Sequence, residues 1–407
     1  MERPSKVFLT CAELSADRHL AKLARAVGAL RPDVRLEGVG GASMREAGVQ
    51  VHHETVRRAR FGLGAFLRAS EVLRMLRWTR RHFREHAPPD LMVCCDSWTM
   101  NKHFLSIARE HGVPTLYYVS PQVWASRKGR VRRMRRDIDR MAVILPFEEP
   151  WLRERGIDAT FVGHPLFDEL PPAPPPFDGS RHFPSRPPTI ALNAGSRRKV
   201  ARDNFPLQLE VARRIRSEFP QATFVSPTVA ATHAIVAGAA AGLDWVSVRQ
   251  DAFEEAVGDS DACVCVSGTA TLHTAALGAP LVAVYRVPRI GWELLGRWIV
   301  KTRTFALVNW LHPRREHVVP EVIPWFGDPR PVAETVLDWL RHPEKLAQQR
   351  AAQAAVVDPL RKKGASENTA NIVVEMLETG GKPPPPQASA LGASSASRAR
   401  FRSRPPA

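Results

Sequence analysis

The sequence predicts an α/β protein with two Rossmann-like domains, whose parallel β-sheets face each other across a cleft. Short apolar runs of strand length alternate with segments of helix length, which is the rhythm of βαβ units. A proline-rich stretch interrupts this rhythm near the middle of the 407 residues, and the rhythm then restarts. Two such domains bind their ligands between the carboxyl ends of the two sheets.

The strands are predicted from apolar runs whose length is typical of buried strands in a parallel sheet. A first strand over Lys6 to Cys11 precedes a helix that begins at Ala16 or Asp17 and ends at Leu30. Further strands of the first half are predicted at Arg35 to Val39, Leu91 to Cys95, Thr115 to Val119, Met141 to Leu145 and Ala159 to Val162. Those of the second half are predicted at Thr189 to Asn193, Thr223 to Ser226, Trp245 to Val248, Ala262 to Val266 and Leu281 to Tyr285.

We expect five segments along the chain. The two Rossmann-like domains occupy residues 1–170 and 189–345, and the proline-rich linker between them occupies residues 171–188. Residues 346–379 are predicted to form helices that pack back on the N-terminal domain. Residues 380–407 combine a proline run, small residues and arginines, a composition typical of a disordered tail.

The formal net charge of +17 indicates an anionic partner, such as nucleic acid, anionic lipid or a phosphorylated substrate. No aromatic and basic recognition motif accompanies the charge, so we expect no nucleic-acid partner. The longest apolar runs fall far short of the roughly 18 residues that a membrane-spanning helix needs. The N-terminal segment is also too short in apolar residues for a secretory signal. These observations predict a cytoplasmic protein without a membrane span.

The five cysteines lie in or beside apolar strands, without a Cys-x-x-Cys motif and without histidines at zinc spacing. We interpret them as buried small hydrophobic residues, and we expect no metal site. No GxGxxG motif follows the first strand, which argues against a dinucleotide-dependent oxidoreductase. We therefore expect no cofactor.

Three polar segments follow predicted strands, where open α/β sheets place functional groups. Asp96 follows Leu91 to Cys95, and a carboxylate among apolar residues is suited to act as a general base; it would otherwise cap the next helix. The turns Gly195-Ser196-Arg197 and Ser267-Gly268-Thr269 each lead into a helix. Their amides and arginine are suited to bind phosphate, although an ordinary basic helix start remains the alternative for the first.

Short motifs also follow one another in a fixed order: Ala12 to Asp17, Cys95-Asp96, Tyr118 to Ala125, Leu145 to Glu148, Val162 to Leu166, Gly195 to Arg197, Ser267 to Thr271 and Val319 to Glu321. This order resembles the lipid-A-disaccharide synthase family from about Lys6 to Glu375. The resemblance implies the GT-B architecture, with the acceptor and the membrane on the N-terminal domain and the UDP-sugar on the C-terminal domain.

The resemblance further implies an inverting transfer of 2,3-diacylglucosamine from UDP to the 6-hydroxyl of 2,3-diacylglucosamine 1-phosphate. The products would be the β-1,6-linked lipid A disaccharide 1-phosphate and UDP. The partners would be a UDP-linked diacylated amino sugar, a phosphorylated glycolipid acceptor and an anionic membrane surface. The expected location is the inner face of the cytoplasmic membrane, where the enzyme would be peripheral.

By the same resemblance, Asp96 is the expected catalytic base. The expected donor-binding residues are Gly195, Ser196, Arg197, Arg198, Ser267, Gly268, Thr269, His273 and Asn309. The expected acceptor-side residues are Glu13, Ser15, Asp17, Gln122 and Trp124. For Asp17 the alternative is an N-cap of the first helix, and for His273 it is a packing role.

The chain departs from the family pattern at Ala12, Ala16, Thr99, Val200 and His273. The family has a glutamate in place of His273, which offers two acceptor oxygens to the ribose where neutral imidazole offers one nitrogen. These departures leave two alternatives open: a paralogue that uses another UDP-sugar or lipid acceptor, and a GT-B protein that binds lipid or nucleotide without catalysis.

The segment from Phe61 to Arg84 is predicted to contact the membrane. Val72, Met75, Leu76, Thr79 and Phe83 share one face of a helix, with arginines on the opposite face. An apolar surface rimmed by cations is suited to an anionic lipid surface, and a core helix with a basic outer face is the alternative. The expected membrane-facing residues are Phe61, Leu63, Phe66, Arg74, Arg77, Arg81 and Arg84.

Overall fold

The computed structural model describes residues 3–55, 64–124, 128–170, 183–296, 304–312, 316–361 and 364–381. Of the predicted membrane-facing residues, Phe61 and Leu63 lie outside this part of the chain, and so does the side chain of Phe66. The predicted tail lies outside it from residue 382 onward, and the linker does so over residues 171–182.

The first half of the chain forms a sheet of seven parallel strands in the order β3-β2-β1-β4-β5-β6-β7. Its strands are β1 Lys6–Thr10, β2 Arg35–Gly40, β3 Gln50–Glu54, β4 Leu91–Cys95, β5 Thr115–Tyr118, β6 Arg140–Val143 and β7 Ala159–Phe161. The helices are α1 Leu14–Leu30, α2 Ala42–Glu46, α3 Gly64–Glu85, α4 Trp98–Glu110, α5 Val131–Asp137, α6 Glu148–Arg153 and α7 Leu166–Glu169.

The second half forms a sheet of six parallel strands in the order β10-β9-β8-β11-β12-β13. Its strands are β8 Thr189–Asn193, β9 Thr223–Thr228, β10 Val246–Gln250, β11 Ala262–Val266, β12 Leu281–Arg286 and β13 Glu321–Trp325. The helices are α8 Arg198–Glu218, α9 His233–Ala239, α10 Phe253–Gly258, α11 Thr269–Ala276, α12 Arg289–Gly291, α13 Leu307–Leu311, α14 Arg330–Arg341, α15 Pro343–Val357 and α16 Ala365–Glu378. The predicted fold class, two parallel-sheet domains, is confirmed.

The edge strands β3 and β13 are the strands that the sequence pattern did not predict. The central strands β4 and β11 are buried along their whole length, which is why their sequences are unbroken apolar runs. All five cysteines are free and buried, as predicted. Burial raises the pKa of the Cys94 thiol to about 12, so this thiol is not a nucleophile at neutral pH.

The C-terminal helices divide between the two domains, which differs from the prediction that all of residues 346–379 return to the first domain. Helix α15 stays on the second domain, where Gln353 Nε2 donates to the Ala279 carbonyl at 2.9 Å and Gln353 Oε1 accepts from the Leu281 amide at 3.1 Å. Helix α16 packs on α1 of the first domain. Asp168 caps it by accepting the Gly364 amide at 2.9 Å.

The apolar face of α3 packs into the protein. Met75, Leu76, Thr79 and Phe83 are at most 6% exposed, and the first, second and fourth belong to the core beside β1 and β4. The prediction that this face meets lipid is therefore wrong from residue 70 onward, because the sheet already covers it. Among the described residues, no helix combines the length and the hydropathy of a membrane span.

An aromatic contact joins the two domains. Trp310 of α13 lies against Trp124, with ring centroids 4.5 Å apart, and is parallel to Phe147 within 27°. Trp124 and Phe147 themselves meet edge to face at 4.9 Å. Buried apolar residues of both domains continue this contact, so the two domains share a hydrophobic core.

Candidate active site

The candidate residues lie where central strands of both sheets end. Glu13 follows β1 and Asp96 follows β4 in the first domain, while Arg197 follows β8 and Gly268 follows β11 in the second. In both sheets these strands are adjacent, since β1 pairs with β4 and β8 pairs with β11. Because parallel strands end at one edge, each pair of loops is brought together there.

Asp96 has an unusual backbone conformation. Its φ is 50° and that of Ser97 is 36°, values that residues with a Cβ rarely adopt. Three hydrogen bonds hold this turn: Asn101 Nδ2 donates to the Asp96 carbonyl at 2.8 Å, the Tyr117 hydroxyl donates to the same carbonyl, and the Asp96 amide donates to Tyr118 at 3.1 Å. Strained backbone that its surroundings fix in this way is typical of functional sites.

The electrostatic surroundings of the Asp96 carboxyl come from both domains. Burial raises the pKa of Asp96 above its ordinary value, and nearby Glu13 raises it further. The Ser97 amide and the Arg197 guanidinium lower it. Glu13 itself is exposed and accepts from Ser97 Oγ at 3.4 Å. The carboxyl group therefore combines raised basicity with a cation across the cleft, which is an arrangement suited to proton removal.

The first loop of the second domain is built around Gly195. Its φ is 87°, and a Cβ at this position would lie 3.3 Å from Val200 Cγ1, so the turn requires glycine. Ser196 and Arg197 are exposed at the start of α8. The side chain of Arg198, unlike that of Arg197, forms a hydrogen bond within the protein: its Nη1 donates to the Ala231 carbonyl at 3.1 Å. Of the two arginines, Arg197 is the one that interacts with Asp96.

The second loop leads from β11 into α11. Gly268 has a φ of 146°, and a Cβ built there meets nothing within 4 Å, so this turn borders open space. Thr269 is exposed, whereas Ser267 Oγ donates to the Phe305 carbonyl at 3.0 Å. The amides at the start of α11 are therefore available to an anionic ligand in the cleft.

His273 lies one turn into α11 and is 19% exposed at its side chain. Its Nε2 lies 3.2 Å from Glu254 Oε1, and its ring packs on Phe253 at 4.4 Å. Burial lowers the pKa of His273, while Glu254 and Glu169 raise it. The imidazole therefore lies against Phe253 and Glu254 of α10.

Asp17 is a structural residue of the first domain. It is fully buried, and its carboxylate accepts the amides of Gly41 at 2.8 Å, Ser43 at 3.0 Å and Met44 at 3.3 Å. It therefore caps α2. Asp17 lies inside α1, so it is not the N-cap of that helix, and its carboxylate is not on the acceptor side. Both predictions for this residue are corrected. Ser15, two residues earlier, is exposed.

Two further predicted site residues are held inside the protein. Trp124 is 7% exposed, and its Nε1 donates to Glu148 Oε1 at 3.0 Å at the domain interface. Asn309 is fully buried, where its amide donates to Val319 and Glu321 and accepts from the Val319 amide. Both side chains thus form hydrogen bonds within the protein, and their predicted contacts with the acceptor and the donor stay predictions. Gln122, next to the Trp124 segment, is exposed.

The sequence pattern did not assign a role to His164, although it lies in the motif Val162 to Leu166. Its Nδ1 accepts from the Leu166 amide at 3.1 Å, which leaves the proton on Nε2. Nε2 is buried without a partner among the described residues. Burial lowers the pKa of His164 to about 3, helped by His19 and His273. The order of the motifs was therefore a signal that could have singled out His164, but it did not reveal that the imidazole is neutral and buried.

Comparison with known proteins agrees with this geometry. The family profile described as Lipid-A-disaccharide synthetase matches residues 7–375. A lipid-A-disaccharide synthase of Geobacter sulfurreducens is 35% identical over 378 residues, covering 91% of this chain and 97% of the relative. Among solved structures, the S. aureus MnaA-UDP co-structure has a TM-score of 0.60 at 13% identity, covering 92% of this chain and 97% of that one. The calicheamicin glycosyltransferase CalG4 has a TM-score of 0.56 at 15% identity, covering 93% and 99%.

Two parallel-sheet domains with loops of this kind at their facing edges define a protein of the GT-B fold. The structural neighbours include both glycosyltransferases and epimerases. The relatives found by sequence are lipid-A-disaccharide synthases, which are glycosyltransferases. The chain belongs to the lipid-A-disaccharide synthetase family, whose profile covers nearly its whole length. It is a glycosyltransferase of lipid A biosynthesis, as the sequence predicted.

Proposed function

We propose that the protein transfers 2,3-diacylglucosamine from UDP to the 6-hydroxyl of 2,3-diacylglucosamine 1-phosphate, at the inner face of the cytoplasmic membrane. The acceptor oxygen attacks the anomeric carbon from the side opposite UDP, so the new bond is β-1,6 and UDP leaves. The observation that supports the proposal is the position of Asp96 at the end of β4, where the charges of Glu13 in one domain and Arg197 in the other both act on the pKa of its carboxyl group.

In this mechanism Asp96 removes the proton from the attacking hydroxyl as the new bond forms. A positioned general base contributes about 10² to 10⁴ in rate. The hydrogen bonds from Asn101 and Tyr117 to its carbonyl keep the carboxyl at the strand end, which reduces the cost of orienting it. Burial raises its pKa, so a stronger base is available at neutral pH than an exposed aspartate would supply.

The diphosphate of the donor binds between the two turns of the second domain. In this proposal the amides at the starts of α8 and α11 donate to the phosphate oxygens, and Arg197 adds a guanidinium that can donate two further hydrogen bonds. As the bond to the sugar breaks, these groups stabilise the negative charge that develops on UDP. His273 contributes an acceptor nitrogen to the ribose.

The acceptor side is formed by Glu13, Ser15 and Gln122, which are exposed near the Asp96 edge of the first sheet. The exposed arginines of α3 hold the protein at an anionic membrane, where both acylated substrates reside. Each cation near such a surface contributes about 1 kcal/mol. Because the apolar face of α3 is buried, this attachment is electrostatic within the described part of the helix.

The proposal is tested by incubating the purified protein with the diacylated UDP-sugar and the diacylated sugar 1-phosphate. We expect the disaccharide 1-phosphate and UDP in equal amounts by mass spectrometry, with a β anomeric configuration by NMR. UDP release without disaccharide would indicate hydrolysis, and no turnover with this pair but turnover with another UDP-sugar would overturn the substrate assignment.

A further inference from the structure

Two histidines and a glutamate meet at the edge of the first sheet, on elements that carry no candidate active-site residue. Glu37 lies on β2, His52 on β3 and His82 on α3, and one ligand atom from each lies within 4.8 Å of the other two. Their side chains are 9%, 15% and 12% exposed. We propose that these three residues bind a divalent transition-metal ion that prefers imidazole ligands, such as Zn²⁺.

The distances from each imidazole to the carboxylate are close to those between ligands of a tetrahedral site. His52 Nε2 lies 3.1 Å from Glu37 Oε2, and His82 Nε2 lies 3.3 Å from both carboxylate oxygens. Ligand atoms at about 2.0–2.1 Å from a tetrahedral zinc ion are about 3.3 Å apart. The imidazole and carboxylate groups therefore need little movement to bind an ion between them.

A β-bulge in the pairing of β2 with β3 turns the side chain of His52 toward Glu37 and His82. Gly38 of β2 pairs with Val51 and Val39 pairs with His53, so His52 has no partner on β2. A bulge redirects side chains, whereas neighbouring residues of a regular strand point to opposite faces. Both His52 and His53 consequently contact Trp78 of α3, with ring centroids 4.8 and 4.6 Å away.

Packing fixes the orientation of both imidazoles. The His82 ring is stacked on Trp78 at 4.7 Å with an angle of 14°, and its centroid lies 4.9 Å from that of His52. Trp78 and His82 are four residues apart and share one face of α3. Metal sites bind more tightly when surrounding residues hold the ligands in place, so this packing favours binding.

The neighbouring charge narrows the choice of ion. Lys6 Nζ lies 3.8 Å from Glu37 Oε1 and donates to the carbonyls of His86 and Ala87. The positive charge of Lys6 repels a bound cation. Mg²⁺ and Ca²⁺ prefer oxygen ligands, and the binding energy from one carboxylate is too small to overcome this repulsion. Zn²⁺, Co²⁺ and Ni²⁺ bind imidazole more strongly. The bound ion would join α3, which carries the basic surface, to strands β2 and β3.

The test uses the full-length protein, stripped of metal with a chelator and titrated with Co²⁺. We expect one equivalent to bind with the visible absorption of a low-coordinate cobalt site, and Zn²⁺ to displace it. His52→Gln and His82→Gln should each weaken Co²⁺ binding by at least about 10²-fold, since even supporting residues around a metal contribute 10–100-fold. His103→Gln, which changes an exposed histidine of α4, should leave binding unchanged.

Thermal unfolding supplies a second readout, because Zn²⁺ should raise the Tm of the unaltered protein and of His103→Gln but not of the two ligand variants. Equal cobalt binding by folded ligand variants would move the ion to another site and overturn the proposal. Absence of stoichiometric binding to the unaltered protein would also overturn it, whether or not the variants fold. The cluster would then be a hydrogen-bonded imidazole and carboxylate group only.

Discussion

At the scale of single residues, the proposed base Asp96 has a strained backbone conformation. Its left-handed backbone costs stability, and the bonds from Asn101 and Tyr117 hold it there. A residue needed only to cap α4 would use its side chain for that purpose, yet no capping bond to α4 is formed, and Ser97 is the residue at the N-cap position. The strained backbone is therefore consistent with the proposed role of Asp96 as the base.

Asp96→Asn should lower turnover by at least about 10², because an amide cannot accept the hydroxyl proton. The fold should persist, since Asn also tolerates a positive φ. Steady-state rates and circular dichroism check both points. In the unaltered protein the base is active when ionised, so turnover should fall as the pH drops through the raised pKa of Asp96. A folded variant with normal turnover would contradict the role of Asp96.

Arg197→Ala should weaken UDP binding by about 2 kcal/mol, roughly 30-fold, which is the scale of a charge-assisted hydrogen bond. Arg198→Ala is the matched control, since the Arg198 side chain already donates to the Ala231 carbonyl. Calorimetric titration with UDP measures both. Equal losses in the two variants would indicate a general effect of positive charge and would remove the specific role of Arg197.

His273→Glu, which restores the family residue, should not tighten UDP binding by itself. Glu254 Oε1 lies 3.2 Å from His273 Nε2, so the change would bring two carboxylates together. With Glu254→Gln added, the new carboxylate is free to accept from the ribose, and UDP should bind about 1 kcal/mol more tightly than to the single variant. Calorimetry that shows the same affinity for both variants would mean that position 273 does not contact the nucleotide.

At the scale of elements, the amphipathic pattern of α3 does not tell whether its apolar face packs in the core or contacts lipid. The buried face packs against the sheet, and the opposite face is exposed. Reversing four of its charges should abolish binding to vesicles of anionic lipid and leave UDP binding unchanged, because the proposed attachment is electrostatic. The substitutions are Arg74→Glu, Arg77→Glu, Arg81→Glu and Arg84→Glu.

The matched control changes net charge by the same amount on exposed positions of the second domain: Arg202→Glu, Arg213→Glu, Arg214→Glu and Lys345→Glu. This protein should still sediment with the vesicles. If both proteins lose binding equally, net charge alone attracts the membrane and α3 has no special part.

At the scale of the whole molecule, the domain interface contains a buried acid. Glu148 is 1% exposed and accepts hydrogen bonds from Ser120 Oγ at 2.9 Å, Trp124 Nε1 at 3.0 Å and the Leu145 amide at 3.1 Å. Burial raises the pKa of Glu148 from 4.5 to about 7, against the effect of these bonds. Trp124, one of its partners, is also the residue that contacts Trp310 of the other domain.

The raised pKa of Glu148 predicts a stability that depends on pH. Between pH 4.5 and about 7 the folded protein binds more protons at this site than the unfolded chain does. The contribution of Glu148 is therefore complete below pH 4.5 and is lost as the pH rises toward 7, by at most about 1.4 kcal/mol per pH unit.

Glu148→Gln isolates this contribution, because an amide does not titrate and its altered hydrogen bonds shift stability equally at every pH. The difference in unfolding free energy between the two proteins, from urea denaturation at a series of pH values, should change across this window. Histidines such as His164, whose pKa is lowered, titrate in both proteins and cancel in the difference. A difference that stays constant with pH would show that Glu148 is ionised throughout.

The sequence by itself determined the fold class, most strands and the loops that carry Asp96, Gly195 and Gly268. These follow from local pattern, because a buried strand must be apolar and because Gly195 and Gly268 mark turns whose positive φ favours glycine. Motif order likewise determined the family, since it concerns residue identity and not contacts.

Only the tertiary structure decided which polar side chains form hydrogen bonds within the protein and which remain exposed. Asp17, Trp124 and Asn309 match motifs but bond to other parts of the protein. The exposed face of α3 and the cluster of Glu37, His52 and His82 also depend on elements far apart in the chain. The physical reason is that a motif specifies a side chain, while its hydrogen-bond partners and burial are set by segments that the fold brings beside it.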